Sequence, residues 1–232
     1  MSACKIFITQ SNYVPWKGYF DAINEADYFV IYDHVQYTKN DWRNRNKIKR
    51  ENGADWFTIP ARFLNLNQKI NEVEVATNDW AIKHWKTLST VYAKAPYFKI
   101  YKPIFEQLYT SINTKNLSEI NQLFIKVICE ILGIKTPIVN STDLDLSEPD
   151  RVLKLVSICK QLGGSEYLSG PSGKNYIEDH IFEDNGLKIK WLDYSQYPEY
   201  RQLHPPFEHS VSILDLIFNE GENATKYMKS FR

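Results

Sequence analysis

The segment Gln10-Ser11-Asn12-Tyr13-Val14-Pro15-Trp16-Lys17-Gly18-Tyr19-Phe20 lies between two short apolar runs, and that arrangement restricts the fold more than any other feature. Lys5–Thr9 reads as a buried strand and Tyr28–Asp33 as a second, since short β-branched and aromatic runs fit a sheet interior. Trp16–Ala26, between them, has helical spacing with Phe20 and Ile23 inward. Strand, helix, strand is the opening of a βαβ unit. Gln10, Asn12 and Tyr13 then fall in the loop joining the first strand to the first helix, and Asp33 ends the second strand. Open α/β sheets take ligands outside the carboxyl ends of their strands, so this loop and Asp33 are the first places to look for a site.

Downstream, Trp56–Pro60 and Ile70–Val75 read as strands, with a loop between them. The pattern then turns helical. Asp79 can cap a helix over Trp80–Tyr92, Pro103 can open the next at its first turn, and Leu117–Leu132 carries Ile120, Phe124, Val127, Ile128 and Ile131 on one face before Gly133. Ser147-Glu-Pro-Asp150 resembles a capping box ahead of a helix reaching Leu162. Leu187–Tyr194 has strand character, and Ser212–Asn219 reads as a last short helix ended by Gly221. The expectation is one α/β domain over residues 1–232: an N-terminal βαβ Rossmann-like sheet with a helical C-terminal subregion, roughly 80–165.

Composition excludes several functions. Lys plus Arg and Asp plus Glu number 28 each, whereas duplex nucleic acid is bound largely through a basic surface. Cys4, Cys129 and Cys159 are odd in number and lack CxxC spacing, which suits buried thiols of a reducing compartment. No leader precedes the first strand and no apolar run is long enough for a membrane span, so a cytoplasmic protein is expected. HExxH, clustered Cys/His, Walker A, GxGxxG and GxSxG patterns are all missing. No metal is expected, and the sequence names no cofactor.

The densest polar cluster is Asp33-His34-Val35-Gln36, followed by Lys39, Asp41, Arg43, Asn44, Arg45, Asn46 and Lys47. Arginine offers a planar fork that matches phosphate or carboxylate, and lysine adds a point charge. Four cations within nine residues make an anion site if they converge, and a solvated loop if they do not. His84 sits on the apolar stripe of its helix, where a histidine is either a packed core residue or a base reaching the crevice. His204, in a proline-stiffened loop, and His34, beside Asp33, are the other histidine candidates. Ser169–Gly173 reads as a plain turn.

The ordered set Gln10…Tyr13…Pro15-Trp16…Gly18-Tyr19-Phe20, Ala26-Asp27, Tyr32-Asp33-His34-Val35-Gln36-Tyr37, Arg45-Asn46-Lys47-Ile48, His84, Tyr92-Ala-Lys-Ala-Pro96-Tyr97, Tyr167-Leu-Ser-Gly170, Tyr200…Gln202 and Ser212-Ile-Leu-Asp215 resembles the WbqC-like family along nearly the whole chain. That family occurs among bacterial genes for O-antigen and other surface polysaccharides. The resemblance implies a cytoplasmic step on an activated sugar: acyl or aminoacyl transfer to the amino group of a nucleotide-linked amino sugar. On that reading Arg45 and Lys47 hold a diphosphate with Arg43 in support. Gln10, Gln36 and Asn46 hydrogen-bond the sugar, while Tyr13 and Trp16 stack on sugar or base. Tyr97, Tyr200, Gln202 and Asp215 complete the expected substrate surface. The attacking amine sheds a proton, and His84 is the first candidate base, oriented by Asp33 or Asp215, with His204 second. The donor is open among a carrier thioester, an aminoacyl-tRNA and an amino acid activated elsewhere. Two rival readings stand beside it. A non-catalytic sugar-nucleotide-binding accessory protein predicts a buried His84. A nucleotidyltransferase predicts dependence on a nucleoside triphosphate and magnesium, although Pro15–Tyr19 lacks both histidines of an HxGH loop.

Overall fold

Alternation along the first strands decides how the sheet is covered. In β1 (Lys5–Thr9) Ile6 and Ile8 face one side and Phe7 the other; in β2 (Tyr28–Ile31) Phe29 and Ile31 join Phe7. Both faces are apolar, so both are packed, as in parallel sheets flanked by helices. The computed structural model describes residues 3–231; Met1, Ser2 and Arg232, the ends of the expected span, lie outside the described residues. Its central sheet has five parallel strands in the order β7-β2-β1-β8-β9, where β7 is Ile138–Asn140, β8 is Glu166–Ser169 and β9 is Lys188–Trp191. The chain builds outward from β1 through β2 to β7, then returns to the other side of β1 for β8. This is a Rossmann-like α/β fold whose strand order reverses between β1 and β8.

Helix α1 (Lys17–Glu25) lies on the Phe7 side with Tyr19, Phe20 and Ile23, together with α4 (Leu117–Leu132) through Ile120, Phe124 and Ile128. α2 (Trp80–Val91), α3 (Phe98–Thr110) and α7 (Ile213–Glu220) extend the same core. The opposite face is covered by α5 (Arg151–Gln161) and α6 (Asp179–Glu183), with Val152, Leu155, Val156, Cys159 and Phe182. Burial pushes the Cys129 and Cys159 thiols up to about 12, which leaves them inert at neutral pH. Gly133 ends α4 with φ +72° and Asp150 caps α5 through the amides of Val152 and Leu153. Among the described residues no helix is long and apolar enough to cross a membrane.

The differences from the sequence reading are local. The span 80–165 is not wholly helical: β7 sits inside it, three residues that become a strand only by pairing with β2. Pro103 lies inside α3, where its missing N–H faces the exposed first turn near Lys99. Asp79 occupies the N-cap position of α2, but its carboxylate pairs with Lys83 at 2.6 Å and caps no amide. Ile70–Glu72 forms a 3₁₀ turn, leaving only β6 (Glu74–Val75) to pair with β5 (Ala61–Arg62). The polar segment after Tyr37 ends in a hairpin of β3 (Arg45–Arg50) and β4 (Gly53–Thr58).

Candidate functional site

The loop leaving β1 is fixed at nearly every residue. The Ser11 amide donates to Asp33 Oδ1 at 2.7 Å, and Ser118 Oγ donates to Asp33 Oδ2 at 2.5 Å. The Tyr13 amide donates to the Trp42 carbonyl at 3.0 Å, and the Ile213 amide to that of Pro15 at 2.9 Å. Asn46 Nδ2 donates to the carbonyls of Tyr13 (3.3 Å) and Val14 (2.9 Å). Val14 needs this support. Its φ of +37° is an outlier for a β-branched residue, and such strain persists only where the surroundings over-determine it.

Beyond this loop lies a cavity of about 270 Å³ lined by Asn12, Pro15, Trp16, Trp42, Asn46, His209 and Ser210. Its walls are mainly flat aromatic and apolar surface, with a few fixed polar groups, the composition expected of a small-molecule site. Trp16 is set by contact with Tyr194 and Tyr197 and by Gly18, where a Cβ would stand 2.3 Å from the indole. Gly18→Ala is therefore expected to turn Trp16 out of the cavity wall and cost about 1–3 kcal/mol. Tryptophan fluorescence and the melting temperature check this together.

Beside the cavity, β3 carries a cationic face. Period 2 places Arg45 and Lys47 on one side of the hairpin, opposite the buried Asn46 and Ile48. The Arg45 guanidinium lies 3.9 Å over the Trp56 ring, Lys47 Nζ is 5.4 Å from it, and Trp42 packs on Trp56 at 5.4 Å. Arg43 is already engaged, donating to Asn12 Oδ1 and lying 3.7 Å from Asp41; Arg50 pairs with Asp55. Among the described residues, Arg45 and Lys47 make no ion pair. Two positive charges thus stand unneutralised on an aromatic platform.

The loop bearing His209 is held from below. Gln202 grips the Glu208 backbone at both ends, Nε2 donating to the carbonyl at 3.0 Å and Oε1 accepting from the amide at 2.8 Å. Buried Asp215 accepts from Tyr200 (2.8 Å) and Tyr92 (3.0 Å), and burial raises its pKa. Lys49 Nζ donates to the Pro206 carbonyl. Lys17 donates to that of Pro198 within a cage of Tyr197, Tyr200 and Phe207, and burial lowers its pKa to about 8. Tyr200, Gln202 and Asp215 therefore support the wall of the cavity; none of them lines it.

The WbqC-like protein family model matches residues 10–227. The chain belongs to the WbqC-like protein family. It is 41% identical over 229 residues to the uncharacterized protein Rv1507c of Mycobacterium tuberculosis, covering 98% of this chain and 99% of that protein. No solved structure matches.

The histidine expected to act as base in this WbqC-like protein is an interior residue. The His84 ring stacks on Phe57 at 3.7 Å, and Nε2 faces the Thr58 carbonyl at 3.1 Å. A carbonyl only accepts, so Nε2 carries the proton and Nδ1 accepts from the Tyr13 hydroxyl at 2.9 Å. Tyr13 in turn accepts from Tyr109 at 2.6 Å. Burial holds the His84 pKa at about 4 and drives the Tyr13 value well above its ordinary range. Both ring nitrogens are used inside the core, and Tyr13, fully buried, presents no face for stacking. Neither Asp33 nor Asp215 orients His84, since each carboxylate is bonded elsewhere.

Other expected site residues disperse. Tyr97 packs against Gly221, and Gln36 is exposed in a bridge with Lys69. Gln10 is half-buried with its carbonyl accepting from Tyr19, and His204 is half-buried in its loop; neither lines the cavity. Asp33 and His34 border a separate polar cavity of about 330 Å³ at the ends of β2 and β7. Burial, with Lys154 and Lys69 adding to it, lowers the His34 pKa to about 4. Trp16, Asn46, Arg45 and Lys47 do converge. Trp42, His209 and Ser210 were missed. An indole exposed amid polar residues was a usable signal for Trp42, whereas His209 reaches the cavity only through tertiary folding.

Proposed function

We propose that this WbqC-like protein binds a nucleotide-linked amino sugar of surface-polysaccharide (O-antigen) assembly, in the cytoplasm, and transfers an acyl or aminoacyl group to the sugar's amino nitrogen. The observation that carries the binding is the unpaired Arg45–Lys47 face beside the Trp16–Trp42 cavity. A diphosphate suits the two cations, and the indoles offer flat surface for a base or a pyranose face. Arg43 and Asn12 form the adjoining polar rim, and Asn46 keeps the loop in place.

For the transfer, the amine nitrogen attacks the donor carbonyl. An N–C bond forms, the bond to the donor's thiol or hydroxyl oxygen breaks, and the ammonium proton leaves through a base to that leaving group. His209, on the cavity wall with a half-exposed imidazole, takes the role first given to His84. The non-catalytic binding reading has its own support, in the enclosure of His84. His209→Gln separates the two. Under transfer it retains sugar-nucleotide binding and loses product formation with acyl donors supplied; under binding alone, wild type and variant bind equally and neither forms product.

A further inference from the structure

One stretch of the surface is unlike the rest. Residues 37–69 hold eight Lys or Arg against three Asp or Glu, in a chain with 28 of each. Five of the eleven exposed large apolar side chains fall in the same stretch: Trp42, Trp56, Phe63, Leu64 and Leu66. These features form one surface. Trp42 touches Trp56, Arg45 covers Trp56 and lies close enough to Tyr37 to act on its hydroxyl, and Tyr37 lies 6.3 Å from Phe63. At the tip, Leu64 and Leu66 are 68% and 73% exposed, in a turn closed by Gln68 Oε1 accepting from the Leu64 amide. Exposed Lys39, Arg62 and Lys69 flank the tip.

We propose that this surface docks on an anionic lipid bilayer, with Leu64 and Leu66 entering the headgroup–acyl boundary and Lys39, Arg62 and Lys69 resting against lipid phosphates. Indole, aliphatic tip and flanking cations are what an interfacial anchor requires. Single-stranded nucleic acid could use the indoles and cations, but it has no use for two protruding leucines. The aliphatic tip therefore favours lipid.

The test is vesicle co-sedimentation with pure phosphatidylcholine and with mixed phosphatidylcholine–phosphatidylglycerol vesicles, at low and high salt. Binding is expected only to the anionic vesicles, weakening with salt, with a blue shift of tryptophan emission. The double variant Leu64→Ser/Leu66→Ser changes exposed side chains only, so its far-UV circular dichroism should match wild type. Its partitioning should fall by about tenfold or more. Equal binding by the double variant overturns the proposal. So does failure to bind anionic vesicles at low salt, including the case in which a single-stranded oligonucleotide or a second copy of the chain binds there. Sugar-nucleotide affinity should be the same in both proteins, so this outcome is distinguishable from failure of the reading above.

Discussion

His84→Ala is expected to lower the unfolding free energy by about 3–5 kcal/mol at pH 7, measured by urea denaturation. The ring fills a fully packed site against Phe57, Trp80 and Tyr13, so its loss opens a cavity. It also strands the Tyr13 hydroxyl and the Thr58 carbonyl, adding the cost of unsatisfied buried groups. The pH dependence follows from the same geometry. The folded pKa, about 4, lies below the ordinary 6.5, so between these values the unfolded chain binds a proton that the folded chain refuses. Stability is fully present above about pH 6.5 and is lost as pH falls toward 4, by roughly 3 kcal/mol at about 1.4 kcal/mol per pH unit. His34, also depressed, adds a loss of the same sign. The gap between wild type and His84→Ala should therefore narrow on acidification. A gap that stays constant from pH 7 to pH 4 would contradict the core assignment.

Arg45→Ala/Lys47→Ala is expected to weaken sugar-nucleotide binding by about 100-fold or more at low salt, since charge-assisted bonds to phosphate contribute about 1.5–3 kcal/mol each. Folding should be almost unchanged, because both side chains project from the hairpin and make no ion pair among the described residues. The wild-type affinity should fall as salt rises, and the double variant should show a shallower dependence. Asn46→Ala is expected to weaken binding by another route, through release of the Tyr13 and Val14 carbonyls and of the strained turn. Its melting temperature should drop as well, unlike that of the double variant.

The βαβ opening was legible because its signals are local: apolar runs of strand length, a helical stripe with Phe20 and Ile23, and a polar loop between them. The α4 stripe and Gly133 were legible for the same reason. β7 was not, since three residues become a strand only when β2 offers its edge. For the site, the alternation of Arg45, Asn46 and Lys47 was visible, and it turns out to sort cations to one face of a strand and the loop-holding amide to the other. His84 carried the ambiguity of any histidine on an apolar stripe, and only the Thr58 carbonyl and Tyr13 resolve it. Gln202 and Asp215 show a further limit: residues carried over from a resemblance can be placed correctly in a motif while acting beneath the site.

The most direct test of the account is a calorimetric titration of the purified wild-type protein with matched nucleotide-linked sugars that differ only in an amino group. The account predicts saturable one-site binding that favours the amino sugar. No binding by any nucleotide-linked sugar, at low salt and neutral pH, would contradict it.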